Sequence, residues 1–118
     1  MTFAAEILVP PSANNAYANG RNGRYKRAAV TEWANATVAD LWRQVPAGLR
    51  IGGPVVVYIA LPRKMRGDCD NRIKPILDAL VVSKRIDDDR NVMAVTAGKS
   101  HDGQTALVRV ARHHEVAA

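Results

Sequence analysis

Seven consecutive residues, Val55-Val56-Val57-Tyr58-Ile59-Ala60-Leu61, are β-branched, aromatic or aliphatic, with no polar break. Side chains of this kind suit a pleated strand. Both faces of that strand are apolar, so it belongs in the middle of a sheet. The rest of the fold is read around it. Residues 3–9 form a short first strand ended by Pro10-Pro11, since proline cannot donate to a ladder. Residues 12–27 are rich in Asn and Gly and read as a loop. In residues 28–45, Val30, Trp33, Ala34, Thr37, Val38, Leu41 and Trp42 recur at helical steps. Thr31 is a candidate N-cap, and Pro46 and Gly48 stop the helix. A second helix is expected from Asn71 to Val82, with Ile73, Ile76, Leu77 and Leu80 as its stripe and Asp70 near its N-cap. Pro75 is tolerated there because it lies within about the first turn. Residues 92–99 and 105–112 read as two closing strands, joined as a hairpin through Asp102-Gly103. The expected fold class is α+β: one domain over residues 1–118, a mixed sheet with two main helices, in the order β-α-β-α-β-β.

The chain is basic, with 17 Lys+Arg against 11 Asp+Glu, a net charge of +6 and a pI of about 10.0. That balance favours a polyanionic partner. Its acids are not spread evenly. Asp68, Asp70, Asp78, Asp87, Asp88 and Asp89 fall within one segment. The cations gather elsewhere. Arg21, Arg24, Lys26 and Arg27 lie among Tyr17 and Tyr25, a pattern that can contact phosphates and stack on bases. Arg63, Lys64 and Arg66 form a second basic stretch just before the acids. No run of eighteen apolar residues exists, so no membrane span is expected. The first residues lack the basic and long apolar regions of a signal peptide. The single Cys69 allows no internal disulfide, which fits a cytoplasmic setting. One Cys and three His give no zinc-finger spacing.

An acidic cluster inside a basic protein repels the polyanion its arginines attract, unless a cation sits in it. Asp68 and Asp70, two apart, point to one side if the segment is extended. Lys74 lies four residues after Asp70 and Asp78 four further on, so Asp78 can hold the Lys74 ammonium in place. The Asp87-Asp88-Asp89 triplet can join them if the chain folds back along the helix. Carboxylate-only sites select Mg²⁺ or Mn²⁺. Such ions activate water and neutralise charge on a scissile phosphate. Taken singly, Asp-x-Asp is a common turn and an acidic triplet a common solvated loop; their conjunction with Lys74 is more specific. A calcium-binding EF-hand is excluded, because with Asp68 as position one the sixth residue is Ile73 and the twelfth Ala79.

Three stretches, in order, resemble the RusA family of Holliday-junction resolvases, small Mg²⁺-dependent endonucleases often carried by prophages. Pro10-Pro11-Ser12-Ala13-Asn14-Asn15-Ala16-Tyr17 is similar to the family's Pro-Pro-Ser-x-Asn segment. Asp68-Cys69-Asp70-Asn71-Arg72-Ile73-Lys74 resembles its Asp-x-Asp-Asn-x-x-Lys core, followed by Asp78-Ala79-Leu80. Ile86-Asp87-Asp88-Asp89-Arg90-Asn91-Val92 resembles its Ile-x-Asp-Asp-x-x-Val element, with Lys84-Arg85 where the family often has Gly-Val or Gly-Leu. The resemblance implies a homodimer acting on branched DNA, the four-way junction, in recombination and repair. It implies Asp68, Asp70 and Asp89 as catalytic metal ligands, Lys74 as the essential lysine and Asp88 as a neighbouring acid. Which member of the triplet is the third ligand stays open by one residue. The expected DNA-contacting set is Asn14, Tyr17, Arg21, Arg24, Lys26, Arg27, Arg63, Lys64, Arg66 and Asn71. Two other readings keep parts of this pattern: a non-catalytic binder of branched DNA, and a general Mg²⁺ nuclease without junction preference.

Overall fold

The computed structural model describes residues 1–12, 17–20, 23–26 and 28–113, with 17–20 and 23–26 as backbone. The strands are β1 (Thr2–Ile7), β2 (Tyr17–Gly20), β3 (Gly23–Lys26), β4 (Val55–Pro62), β5 (Val92–His101) and β6 (Ala106–Arg112). The helices are α1 (Ala28–Gln44) and α2 (Ile73–Val82). Four strands make one mixed sheet in the order β1-β6-β4-β5. β4 is central, as its two apolar faces require. It pairs antiparallel with β6 (Val57 opposite Val110, Ile59 opposite Val108) and parallel with β5 (Val57 opposite Val95, Ile59 opposite Ala97). A parallel pair needs a crossover, and the segment containing α2 supplies it.

Two expectations about the strands are corrected. β5 and β6 are not a hairpin: β4 lies between them, and residues 102–105 pass over its end. Asp-Gly encodes a tight bend, but two neighbouring strands would have left β4 with a bare edge. Residues 17–20 and 23–26, read as loop, form a separate two-stranded antiparallel sheet of β2 and β3, with Tyr17 opposite Lys26 and Gly20 opposite Gly23. Their polar sequence carries no alternation to announce a strand.

One face of the sheet carries the core. Phe3, Ala5 and Ile7 of β1, Val55, Val57, Ile59 and Leu61 of β4, and Val108 and Val110 of β6 bury themselves against the helices. α1 contributes Trp33, Val38 and Leu41 to this core, and α2 contributes Ile76, Ala79 and Leu80. Of the expected α1 stripe, Trp42 departs: it is 58% exposed. Its indole N–H still donates to the Ser83 carbonyl at 3.0 Å, which ties α1 to the end of α2. α1 begins at Ala28, so Thr31 lies inside it rather than capping it. Among the described residues no helix covers the opposite face of the sheet, with Ala4, Tyr58, Thr96 and Arg109, and the Arg109 guanidinium lies over the Tyr58 ring at 4.6 Å.

Candidate active site

The acidic segment begins where β4 ends. Arg63 is held there by its own N–H, which donates to the His101 carbonyl at 2.7 Å, and by its guanidinium on Asp102 at 2.9 Å. The Met65 N–H closes a turn onto Pro62 O at 3.1 Å. Gly67, at φ +91°, turns the chain into Asp68, a backbone conformation that L side chains rarely adopt. A 3₁₀ turn, Asp70–Arg72, then runs directly into α2.

Asp68 and Asp70 are both exposed. The expected extended geometry between them is not found. Cys69 is helical (φ −62°, ψ −41°), so the two carboxylates do not alternate on one side of a strand. Asp70 opens the 3₁₀ turn instead of capping α2, whose N-cap position is Arg72, with no side-chain cap bond. Pro75 does sit in the first turn of α2, where its missing donor costs little.

Lys74 gathers two of the acids. Its Nζ lies 2.8 Å from Asp78 and 2.9 Å from Asp89. The first contact is the helical four-residue step; the second proves that the chain after α2 doubles back. The ammonium's pKa is raised well above its ordinary value, first by the hydrogen bond to Asp78 and then by that to Asp89.

The aspartate triplet separates into three different environments. Asp87 pairs with Arg50, thirty-seven residues away in sequence. The Ile51 N–H, donating to Arg85 O at 3.0 Å, and an Ile51–Ile86 bridge hold the same two segments together. Asp88 caps the 3₁₀ turn Asp89–Asn91 by accepting the Arg90 N–H at 2.9 Å, with the Arg90 guanidinium 3.2 Å away. These contacts, the backbone N–H first, hold its carboxyl below the usual carboxylate range. Asp89 alone of the three reaches Lys74.

Sequence reading missed Arg72, Arg50 and Arg90. Arg72 donates to the carbonyls of Pro10 and Arg66, fastening the Pro10-Pro11-Ser12 stretch to the start of the acidic segment. Its place between Asn71 and Lys74 was the available signal. Of the expected DNA-contacting residues, Arg63, Lys64 and Arg66 are exposed on the 63–67 segment and Asn71 is half-buried in the 3₁₀ turn. Tyr17 lies on β2, and Arg24 and Lys26 lie on β3. Asn14, Arg21 and Arg27 fall outside the described residues.

The family model for endodeoxyribonuclease RusA matches residues 8–111. The chain belongs to the RusA family. All three stretches that carry the sequence resemblance begin and end within or against that span, and Arg72 and Lys74 are the residues that join them in space. No individual curated protein matches the chain. Membership places it among enzymes that hydrolyse DNA phosphodiesters internally. As donors, Asp68, Asp70, Asp88 and Asp89 offer only carboxylate oxygens, which suit Mg²⁺ or Mn²⁺ in kind. Their arrangement is not closed: among the described residues, no three His, Cys, Asp or Glu side chains form a group that could hold a metal ion. Among them also, no helix is long and apolar enough to cross a membrane.

Proposed function

We propose that this RusA-family chain is a divalent-metal-dependent resolvase of four-way DNA junctions, working as a homodimer in a reducing cytoplasm. The observation that carries the reading is Lys74, whose ammonium joins Asp89 to the start of α2 in a member of an endodeoxyribonuclease family. Asp68, Asp70 and Asp89 would hold the ion, with Asp88 beside them, and the bound ion would activate water and neutralise developing charge. For all of them to reach one ion, the 67–70 and 87–90 segments must draw together. Lys74 supplies a fixed positive charge for the scissile phosphate, and Asp78 keeps it on the site's side of α2. Lys64 and Arg66, exposed beside the acids, take up neighbouring phosphates of the DNA, while Arg63 braces the segment through Asp102.

The test is cleavage of a labelled four-way junction beside a matched linear duplex, with Mg²⁺ and with chelator, by wild type and Asp70→Asn. Paired nicks on the junction alone, abolished by chelator and by the substitution, are the expected result. Equal cutting of the duplex would leave a general nuclease. One observation favours the non-catalytic reading: the carboxylates do not form a three-acid group among the described residues. Tight junction binding without cutting in Mg²⁺ or Mn²⁺ would establish that alternative.

A further inference from the structure

A cleft of about 520 Å³ lies at the end of β4, lined by Val9, Pro62, Arg63, Lys64, Met65 and the 102–104 loop. Its walls are braced. Arg63 spends its guanidinium on Asp102 and on the Ser100 carbonyl at 3.3 Å, and its backbone N–H on His101. Thus the Asp102 charge is already neutralised, and Lys64 on the rim leaves the cleft positive. Val9, Pro62 and Met65 give it an apolar side. Gln104 brings an amide, which both donates and accepts hydrogen bonds. Apolar wall, amide and cation together match a nucleotide: ring face, base edge and phosphate.

Position favours the same occupant. Met65 precedes Asp68 by three residues, so at most about 11 Å of chain separates them. Phosphates of a stacked strand advance about 3.4 Å per nucleotide, so the cleft lies within about three nucleotides of a scissile phosphate that a bound cation would keep beside Asp68. Unstacking a base costs least where the duplex is already interrupted, as at a strand crossover.

We infer that the cleft between residues 62–65 and 102–104 receives one unstacked nucleotide flanking the cleaved bond, with its base against Met65 and its edge read by Gln104. The inference rests on the proposed nuclease function, and it makes this cleft the source of any preference for where a junction is cut. Two measurements test it. In the first, 2-aminopurine replaces each base within three nucleotides of the strand crossover, and each junction is bound to Asp70→Asn protein. One position should brighten by at least about threefold as its base leaves the stack. In the second, a junction whose crossover can migrate is cut by wild type, Met65→Ala and Gln104→Ala. The ratio of cutting among positions, which does not depend on overall rate, should flatten by at least about fivefold in Gln104→Ala. No brightening at any position, or ratios identical in all three proteins, would overturn the inference. A wild type that binds the junction and cuts nothing would sink the nuclease reading alone, because the fluorescence measurement still decides the cleft.

Discussion

Lys74 is bound at both sides by carboxylates, yet its side chain and theirs remain substantially open to water, at 61%, 50% and 40% for Lys74, Asp78 and Asp89. Exposed pairs of this kind are each worth at most about 1 kcal/mol, because solvent screens them and two long side chains must be ordered. The pairs therefore add little to stability, and under the proposed function Lys74 would serve the chemistry instead. Lys74→Met should lower junction cleavage by about 100-fold or more, as removal of a charge aimed at the transition state does. The same change should shift stability by no more than about 1 kcal/mol. Single-turnover cleavage and denaturant unfolding measure the two separately, and a variant that unfolds outright would refute the assignment. The sign of the pH effect follows from the raised pKa. Stabilisation from the pairs is fully present below the unfolded lysine value of about 10.4 and is lost only as pH rises through the higher folded value. Between pH 6 and 9 the cleavage profile should contain no limb that Lys74→Arg moves. The Lys74–Asp78 contact was legible in the sequence, since a four-residue helical step fixes it. The choice of Asp89 from three adjacent acids was not, because it depends on Arg50 and Arg90, and Arg50 is distant in the chain.

Elements decide that choice. The loop before β4 and the end of the α2 crossover are bound by Ile51 to Arg85 and by Arg50 to Asp87, and this sets how the triplet presents itself. A Cβ on Gly52 would meet the Asp87 Oδ2 at 2.9 Å, so the two segments are in close approach. Charge reversal tests the pair. Arg50→Asp and Asp87→Arg singly place like charges together, and each should slow cleavage by about tenfold through a displaced Asp89. The double variant should recover most of it; no recovery would mean that Asp87 acts otherwise than by holding the turn. Strand β4 bears on stability instead. Ile59 is 3% exposed between β6 and β5, and Ile59→Ala should cost about 2–5 kcal/mol in the denaturant midpoint energy. β4's central place was written in its two apolar faces. The β5–β6 hairpin was misread because Asp102-Gly103 is a local signal, while strand order is settled by which apolar edges need covering. The helical turn at Cys69 was equally hidden: Asp-x-Asp fits an extended segment or a turn, and only its entry into α2 selects the turn.

At the scale of the whole molecule, one chain brings together one Lys74–Asp89 site, whereas a four-way junction requires two symmetric cuts to separate into duplexes. Two copies related by a two-fold axis match the two-fold symmetry of the substrate. In the proposed dimer, the net charge of +6, against acids concentrated in one segment, would let each copy approach DNA through its cations with only the acidic site at the bond to be cut. This scheme predicts more than a doubled mass. Co-expression of differently tagged wild-type and Asp70→Asn chains should yield a mixed dimer with one working site. That dimer should bind the junction as tightly as wild type, because phosphate contacts on both copies are intact. It should nick one strand and leave the junction unresolved, the nicked species accumulating where wild type passes through it. Fully resolved product from the mixed dimer at the wild-type rate would show that one site cuts twice, and the paired-site scheme would fail. A protein that remains at 12.8 kDa in sedimentation while resolving junctions would refute it more directly, since cutting would then need no second copy.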